Sequence, residues 1–349
     1  MQKSKQKVFH LSHTDLDGYS CQLITKRCFE DITYYNSNYG SEIDSCINAI
    51  LRKIYLEGSD DNLILITDLN LTQQQAKNLV QGVESSVKNI EILLLDHHKT
   101  GQDCAEQYEW YYLDTTRCAT KITYDYFLAK GYDIGALETY VDVVNAIDIW
   151  LHESEHFELG KVFMRLVAGS REINRMLFSE QNSEYIFHSL ERAMAYVGME
   201  DPHIALDDAI HQIKKSYFLQ NQKQNNTLEN LIASFVVDML TKKRDAMTVH
   251  YKGYRGILTY SIGNTSIIGN EFLVRNPDFD FFMDINGRKN VSMRANNKVD
   301  VSQIAKELFG GGGHANASGG KCESFKDSFV YDTVKEQIQE IMTIGENNE

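Results

Sequence analysis

The sequence predicts an α/β protein with an N-terminal parallel-sheet domain, a helical connector and a smaller C-terminal α/β domain. Three observations carry this. Short β-branched runs alternate with helical patterns through the first half, the pattern from 137 to about 243 turns almost wholly helical, and strand-like runs return beyond 246. A chain of 349 residues, 42% hydrophobic and 11% aromatic, is long enough for two cores.

In order, residues 8–12, 32–36, 62–67, 91–95 and 110–113 read as strands, being rich in β-branched and aromatic residues. Between them, 18–29, 41–56 and 72–83 are apolar at i, i+3, i+4 spacing and read as helices. In a parallel sheet the carboxyl ends of the strands carry the site. Pro202 opens what the pattern predicts as one long helix, 204–243, the candidate connector. Strands at 247–251, 256–260, 279–285 and 291–295 follow, with helices near 267–275, 301–309 and 332–342 and a glycine-rich loop. The expected domains are 1–185, 186–245 and 246–349.

Composition narrows the functions. The basic start, residues 1–7, resembles the head of a signal peptide, but His10, His13, Asp15 and Asp17 break the apolar run after it, so secretion is not expected. No apolar run approaches the roughly 20 residues of a membrane span. Six cysteines without C-x-x-C spacing are expected to be reduced core residues of a cytoplasmic protein. A formal charge of −14 argues against a sequence-blind grip on long duplex nucleic acid, because phosphate neutralisation supplies most of such binding. A small nucleotide held by divalent ions and a few basic residues is compatible with it.

Three clusters fall just after expected strands. His13-Thr14-Asp15-Leu16-Asp17-Gly18 follows the first, Asp68-Leu69-Asn70 the third and Asp96-His97-His98 the fourth. Singly each has a plain explanation: a turn, a helix cap, a surface pair. Together they converge, because strand ends of one parallel sheet are neighbours in space. Carboxylates so close repel one another unless cations lie between them. Mixed oxygen and imidazole donors suit manganese, iron or zinc better than calcium, and the absence of cysteine from all three clusters argues against a structural zinc site. Two ions about 3.5 to 4 Å apart fit a phosphoryl-transfer centre.

The run 12–18, then Asp68, then Asp96-His97-His98, then Asp148 within 146–150, resembles the four ordered motifs of the DHH phosphoesterases. Asp148 is identified by this resemblance alone. Val291-Ser292-Met293-Arg294 and the run 310–319, Gly-Gly-Gly-Gly-His-Ala-Asn-Ala-Ser-Gly, resemble the DHH-associated C-terminal domain, DHHA1. Consecutive glycines let backbone amides approach an anion, and Arg294 and His314 add charge-assisted donors. The resemblance spans roughly residues 8–150 and 246–322. It departs from one common pattern, because Tyr19 stands where many members carry an aspartate and Asp15 is an extra carboxylate. That spelling is closer to RecJ-type exonucleases and a subgroup of nanoRNases.

The resemblance implies that Asp68 bridges two ions, that His97 and Asp148 join it on one, and that His13 and the first-motif aspartates complete the other; the departure leaves open which of Asp15 and Asp17 serves which ion. Manganese is the expected metal, with magnesium or cobalt as substitutes. Water activated there attacks phosphorus in line. His98 is expected to hydrogen-bond the scissile phosphate or protonate the leaving oxygen, with Asp96 orienting a histidine. Arg294, Gly311, Gly312, Gly313, His314, Asn316 and Ser318 are the expected substrate contacts. The leading expectation is an exoribonuclease on short oligonucleotides. Alternatives are hydrolysis of cyclic or linear signalling dinucleotides or of 3′-phosphoadenosine 5′-phosphate, and a non-catalytic nucleotide sensor. Packing on the sheet, shaping a cleft and forming a homodimer are the roles open to the helical middle.

Overall fold

The computed structural model describes residues 4–219 and 226–347. The first part of the chain runs β1 (Ser4–Ser12), α1 (Leu16–Cys28), β2 (Phe29–Asn36), α2 (Ser41–Glu57), β3 (Asp61–Thr67), α3 (Gln73–Glu84), β4 (Asn89–Asp96), α4 (Gln102–Gln107), β5 (Tyr111–Leu113) and α5 (Ala119–Ala129). Helices α6 (Glu138–Asp148), α7 (Phe157–Ala168), α8 (Ser179–Ala193) and α9 (Pro202–Phe218) follow. The strands form a parallel sheet in the order β2-β1-β3-β4-β5.

Alternation of side chains along each strand splits the core between two faces. Phe9 and Leu11 of β1, Ile64 and Ile66 of β3 and Leu94 of β4 pack with Ile43, Ile47, Ile50 and Ile54 of α2 and Leu79 of α3. Val8, Leu63, Leu65 and Leu95 face the other way, against Ile24 of α1 and Ile122 and Phe127 of α5. Residues 62–67 are buried on both faces, which is why 63–66 within them read as a continuous apolar run. Burying one such Ile or Leu contributes about 1.5 to 3 kcal/mol, so Ile64→Ala is a disruptive change in this core. Helix α3 starts with a capping box in which the Thr72 side chain accepts from Gln75 N while the Gln75 side chain accepts from Thr72 N. Helices α6 to α9 build a further core around Tyr140, Val144, Phe163, Leu190 and Leu206, joined by Tyr19 and Leu23 of α1.

The second part runs α10 (Leu228–Lys243), β6 (Thr248–Tyr251), β7 (Tyr254–Tyr260), α11 (Thr265–Arg275), β8 (Phe281–Ile285), β9 (Asn290–Ala295), α12 (Val301–Phe309), β10 (Gly312–His314), β11 (Ala317–Lys321) and α13 (Tyr331–Asn347). Its mixed sheet has the order β10-β11-β9-β8-β7-β6, in which only β7 and β8 are parallel neighbours. Phe281, Met283, Val291 and Met293 pack there with Ile304 of α12 and Ile338 of α13.

The chain divides into two compact units, Met1–Ser170 with Ser183–Ile213, and Arg171–Asn182 with Lys214–Glu349. Residues 186–245, expected as a connector, divide between them at Ile213. The expected long helix 204–243 is corrected. Helix α9 stops at Phe218, and α10 begins afresh under Thr227, whose side chain accepts from Asn230 N. The 220–226 stretch, Gln-Asn-Gln-Lys-Gln-Asn-Asn, offers no apolar face to bury, and Thr227 supplies a cap; residues 220–225 lie outside the described residues. The expected glycine-rich loop is corrected too, since it contains the antiparallel pair β10–β11 at the sheet edge. Glycine's poor strand propensity hides this in the sequence, yet the pairing needs glycine, because a Cβ on Gly311 would lie 2.0 Å from the Gly319 carbonyl oxygen.

The six cysteines are free. Among the described residues no helix is long and apolar enough to cross a membrane.

Candidate metal centre

Each candidate side chain is delivered by the end of a regular element. After β1 the chain turns through His13, whose carbonyl accepts from Asn36 Nδ2 at 2.9 Å, into α1, capped by Asp15. A Cβ on Gly18 would stand 2.4 Å from the His13 carbonyl oxygen, so the Asp-Gly spelling is a requirement of close approach. Asp17, in the first turn of α1, accepts at 2.8 Å from both Ala119 N and Thr120 N, the first amides of α5. Asp68 leaves β3 with φ +56, a left-handed conformation that turns a buried carboxylate to the sheet edge at a cost of order 1 to 3 kcal/mol. Asp96 is the last residue of β4, followed by His97 and His98. Asp148 ends α6, closed by a Schellman pair: Trp150, at φ +58, donates to Ile147 O and Leu151 donates to Ala146 O at 2.7 Å.

The side chains meet. His97 Nε2 lies 3.3 Å from Asp68 Oδ1, 3.6 Å from Asp148 Oδ2 and 3.7 Å from Asp17 Oδ2. His13 Nδ1 lies 2.8 Å from Asp15 Oδ2 and 3.7 Å from Asp68 Oδ2. Asp68 is therefore common to two sets of donors. Asp17 falls on the side of His97 and Asp148, whereas Asp15 stands with His13; the sequence left open which of the two carboxylates serves which ion. Cys118, the residue capping α5 and one of the six cysteines expected in the core, has its ligand atom within 4.8 Å of those of Asp17 and Asp148.

The electrostatics ask for positive charge. Burial, then the charges of Asp17 and Asp15, push the Asp148 carboxyl up to about 9. The same causes raise Asp68 well above the carboxylate range. Burial raises Asp15 as well, but the hydrogen bond and charge of His13 outweigh it and leave Asp15 lowered. Asp68 Oδ2 and Asp148 Oδ2 are buried without a hydrogen-bond partner among the described residues. An orphaned buried carboxylate oxygen is costly, and lone pairs that converge without bonding one another fit divalent cations. His13, Asp15 and Asp68 on one side, and Asp17, Asp68, His97 and Asp148 on the other, are the residues that fit such ions.

Behind them lies a polar support. Asp96, fully buried, accepts from Tyr111 OH at 2.6 Å and from His98 Nδ1 at 2.7 Å. Burial lowers His98, but the Asp96 hydrogen bond outweighs it and the net shift is upward. His10, beneath the site, is bridged between the Thr25 and Thr67 hydroxyls at 2.9 and 2.8 Å, and burial pushes it down to about 3, so it is a neutral core histidine. Sequence reasoning missed Tyr39, whose hydroxyl lies 3.0 Å from His98 Nε2. The signal that could have found it is its place just beyond β2, at the same sheet edge as the three clusters.

In the second unit, cross-strand register puts His314, Ala317, Arg294 and Phe282 opposite one another on one face. Gly312, Gly319, Ser292 and Asp284 form the next row of that face. Arg294 donates to the Ser266 hydroxyl at 2.5 Å and to the Met293 carbonyl. The other expected contacts are placed differently. Gly313 and Ser318 belong to the opposite face, where the Ser318 hydroxyl is buried and donates to Val301 O at 2.7 Å. Gly311 packs its backbone on Gly319, and Asn316 ties the edge strands to Asn297 through two hydrogen bonds.

Comparison with known proteins agrees with this geometry. The DHHA1 domain model matches residues 280–343. A 3′,5′-cyclic-nucleotide phosphodiesterase from Helicobacter pylori is 43% identical over 344 residues, covering 96% of this chain and 98% of the relative. Oligoribonuclease NrnB from Bacillus subtilis is 27% identical over 331 residues, covering 89% of this chain and 72% of that protein. The crystal structure of an uncharacterized Helicobacter pylori protein superposes with a TM-score of 0.91 at 42% identity, covering 97% of this chain and 99% of the other. With the four motifs assembled at one sheet edge and these relatives matching along nearly the whole chain, the protein belongs to the DHH/DHHA1 phosphoesterase superfamily and is a phosphoric diester hydrolase.

Proposed function

We propose that this phosphodiesterase hydrolyses the 3′,5′-phosphodiester of small nucleotides, with 3′,5′-cyclic mononucleotides as its first substrate class. The observation that carries the chemistry is the pair of orphaned buried oxygens, Asp68 Oδ2, 3.7 Å from His13 Nδ1, and Asp148 Oδ2, 3.6 Å from His97 Nε2. The substrate class is supported by the likeness to the 3′,5′-cyclic-nucleotide phosphodiesterase of Helicobacter pylori, 43% identical over 96% of this chain. A second reading, exonucleolytic cleavage of short RNA, is favoured by the likeness to NrnB. The sequence alone favoured that second reading; the more similar relative reverses the order. Both substrates present a singly charged diester linking 3′ and 5′ oxygens.

Two divalent ions, manganese first and magnesium or cobalt next, supply Lewis-acid polarisation of the phosphate and activation of water for in-line attack when bound. The chain's own residues do the rest. Asp17 is held rigid by the amides of α5, so its carboxylate is presented without reorganisation. His98, aligned by Asp96, faces the scissile phosphate or the leaving oxygen. In the second unit, Arg294, His314 and the backbone of Gly312 offer donors suited to an anionic or polar group. A cytoplasmic location fits the six free cysteines.

The test is manganese-dependent hydrolysis of a 3′,5′-cyclic nucleotide, a ribonucleotide dimer, a five-residue RNA, a long single-stranded DNA, cyclic di-AMP and 3′-phosphoadenosine 5′-phosphate, with Asp68→Asn as blank. Highest kcat/KM on the cyclic mononucleotide is the expected result. Preference for the RNA oligomers supports the second reading, and preference for the signalling dinucleotide or the bisphosphate overturns both.

A further inference from the structure

Tyr39 sits at the sheet edge without belonging to any of the motifs. Its hydroxyl lies 3.0 Å from His98 Nε2 and 3.3 Å from Nδ1, and its ring centroid is 5.1 Å from that of His13 and 5.6 Å from that of His98. Tyr39 nevertheless stays 42% exposed. Nothing in core packing requires a large aromatic side chain there.

The contacts form a chain: Asp96 Oδ2 accepts from the Tyr111 hydroxyl at 2.6 Å, Asp96 Oδ1 pairs with His98 Nδ1 at 2.7 Å, and the Tyr39 hydroxyl pairs with His98 Nε2 at 3.0 Å. Tyr111, Asp96, His98 and Tyr39 form one row in which the histidine is gripped at both nitrogens.

The loop bearing Tyr39 is itself built. Ser37 N donates to Ser12 O at 3.0 Å, joining the loop to the end of β1. Asn38 N and Nδ2 donate to Glu42 Oε2 at 2.9 and 3.0 Å, and Asn38 Oδ1 accepts from Thr14 Oγ1 at 2.8 Å. Gly40, at φ +88, then turns the chain into α2. The segment is thus pinned to the loop that carries His13 and Asp15.

We propose that Tyr39 is a positioning residue for diester cleavage: its hydroxyl holds the His98 ring at Nε2 in the free protein and yields that nitrogen to the phosphate or leaving oxygen when the diester enters. This rests on the reading that His98 contacts the phosphate or the leaving oxygen.

The test is Tyr39→Phe, which removes one oxygen from an exposed ring and leaves the fold intact. One neutral hydrogen bond corresponds to a loss of about three- to tenfold. That loss is expected in kcat, with KM within about twofold and manganese affinity by calorimetry unchanged. In a His98→Ala background Tyr39→Phe is expected to cause no further loss, because the two act as a unit. In the magnesium-loaded protein the His98 ring-nitrogen resonances are expected to move in Tyr39→Phe. Unmoved resonances, or an equal loss of kcat with and without His98, overturn the proposal. If the wild type cleaves none of the diesters, the functional reading fails instead, and the resonances alone decide whether Tyr39 holds His98.

Discussion

Stripping the metals is expected to make the stability of the first unit fall as pH rises. In the folded, metal-free chain burial and the charges of Asp17 and Asp15 push Asp148 up to about 9, and the same causes raise Asp68. In the unfolded chain both titrate near about 3.9. Between those limits the folded state keeps protons that the unfolded state has released. Stability is therefore complete below roughly pH 4 and declines as pH climbs toward about 9, by about 1.4 kcal/mol per pH unit for each such carboxyl. Asp68 adds to the decline in the same direction, and solvent screening around the Asp148 side chain, 22% exposed, softens the slope. At about 2 °C or more per kcal/mol, Tm drops by roughly 3 °C per pH unit. Bound divalent ions displace those protons, so metal affinity rises with pH and the slope flattens. The assay is thermal unfolding of chelator-treated and manganese-loaded protein at about pH 6, 7 and 8, with Asp148→Asn alongside. Asp148→Asn is expected to remove one carboxyl's share of the slope. A metal-free Tm that is level across this range, or an Asp148→Asn variant with the full slope, refutes the reasoning.

Three further substitutions separate the parts of the site. Asp68→Asn keeps the fold, because asparagine tolerates the left-handed φ of +56, but calorimetry is expected to show lost manganese binding and assays a fall in kcat/KM of at least about a hundredfold. Arg294→Ala is expected to raise KM about tenfold with kcat little changed, in steady-state kinetics on the preferred diester. Gly18→Ala drives a Cβ to 2.4 Å from the His13 carbonyl oxygen, so denaturant unfolding is expected to show a loss of about 1 to 3 kcal/mol and calorimetry a weaker metal site.

Much of the first unit was legible because a parallel sheet spells itself out. Residues 63–66 and 92–95 are unbroken apolar runs, and they lie within β3 and β4. The clusters at His13, Asp68 and Asp96 were legible for the same reason, since strand ends converge whatever lies between them. Asp148 was not, because it ends a helix, and only the family pattern drew it in. Its placement depends on the left-handed Trp150, which no propensity forecasts. Tyr39 was invisible because it matters through a single hydrogen bond to a residue 59 positions away. The role of Asp17 was half legible: the sequence marks it as a donor, but its grip on the amides of α5 needs coordinates. In the second unit the glycines concealed β10 and β11, and with them the alternation that turns Ser318 into one core while putting exposed His314 and half-buried Arg294 on the other face.

The central claim is that the strand-end carboxylates and histidines make a metal-dependent diester hydrolase. Its most direct test is hydrolysis of a simple chromogenic phosphodiester during a manganese titration of chelator-treated protein, wild type against Asp68→Asn. The account predicts turnover that is absent without metal, rises as manganese fills the site to two ions per chain, and never appears in the variant. Turnover that persists in chelator, or that Asp68→Asn matches, contradicts it.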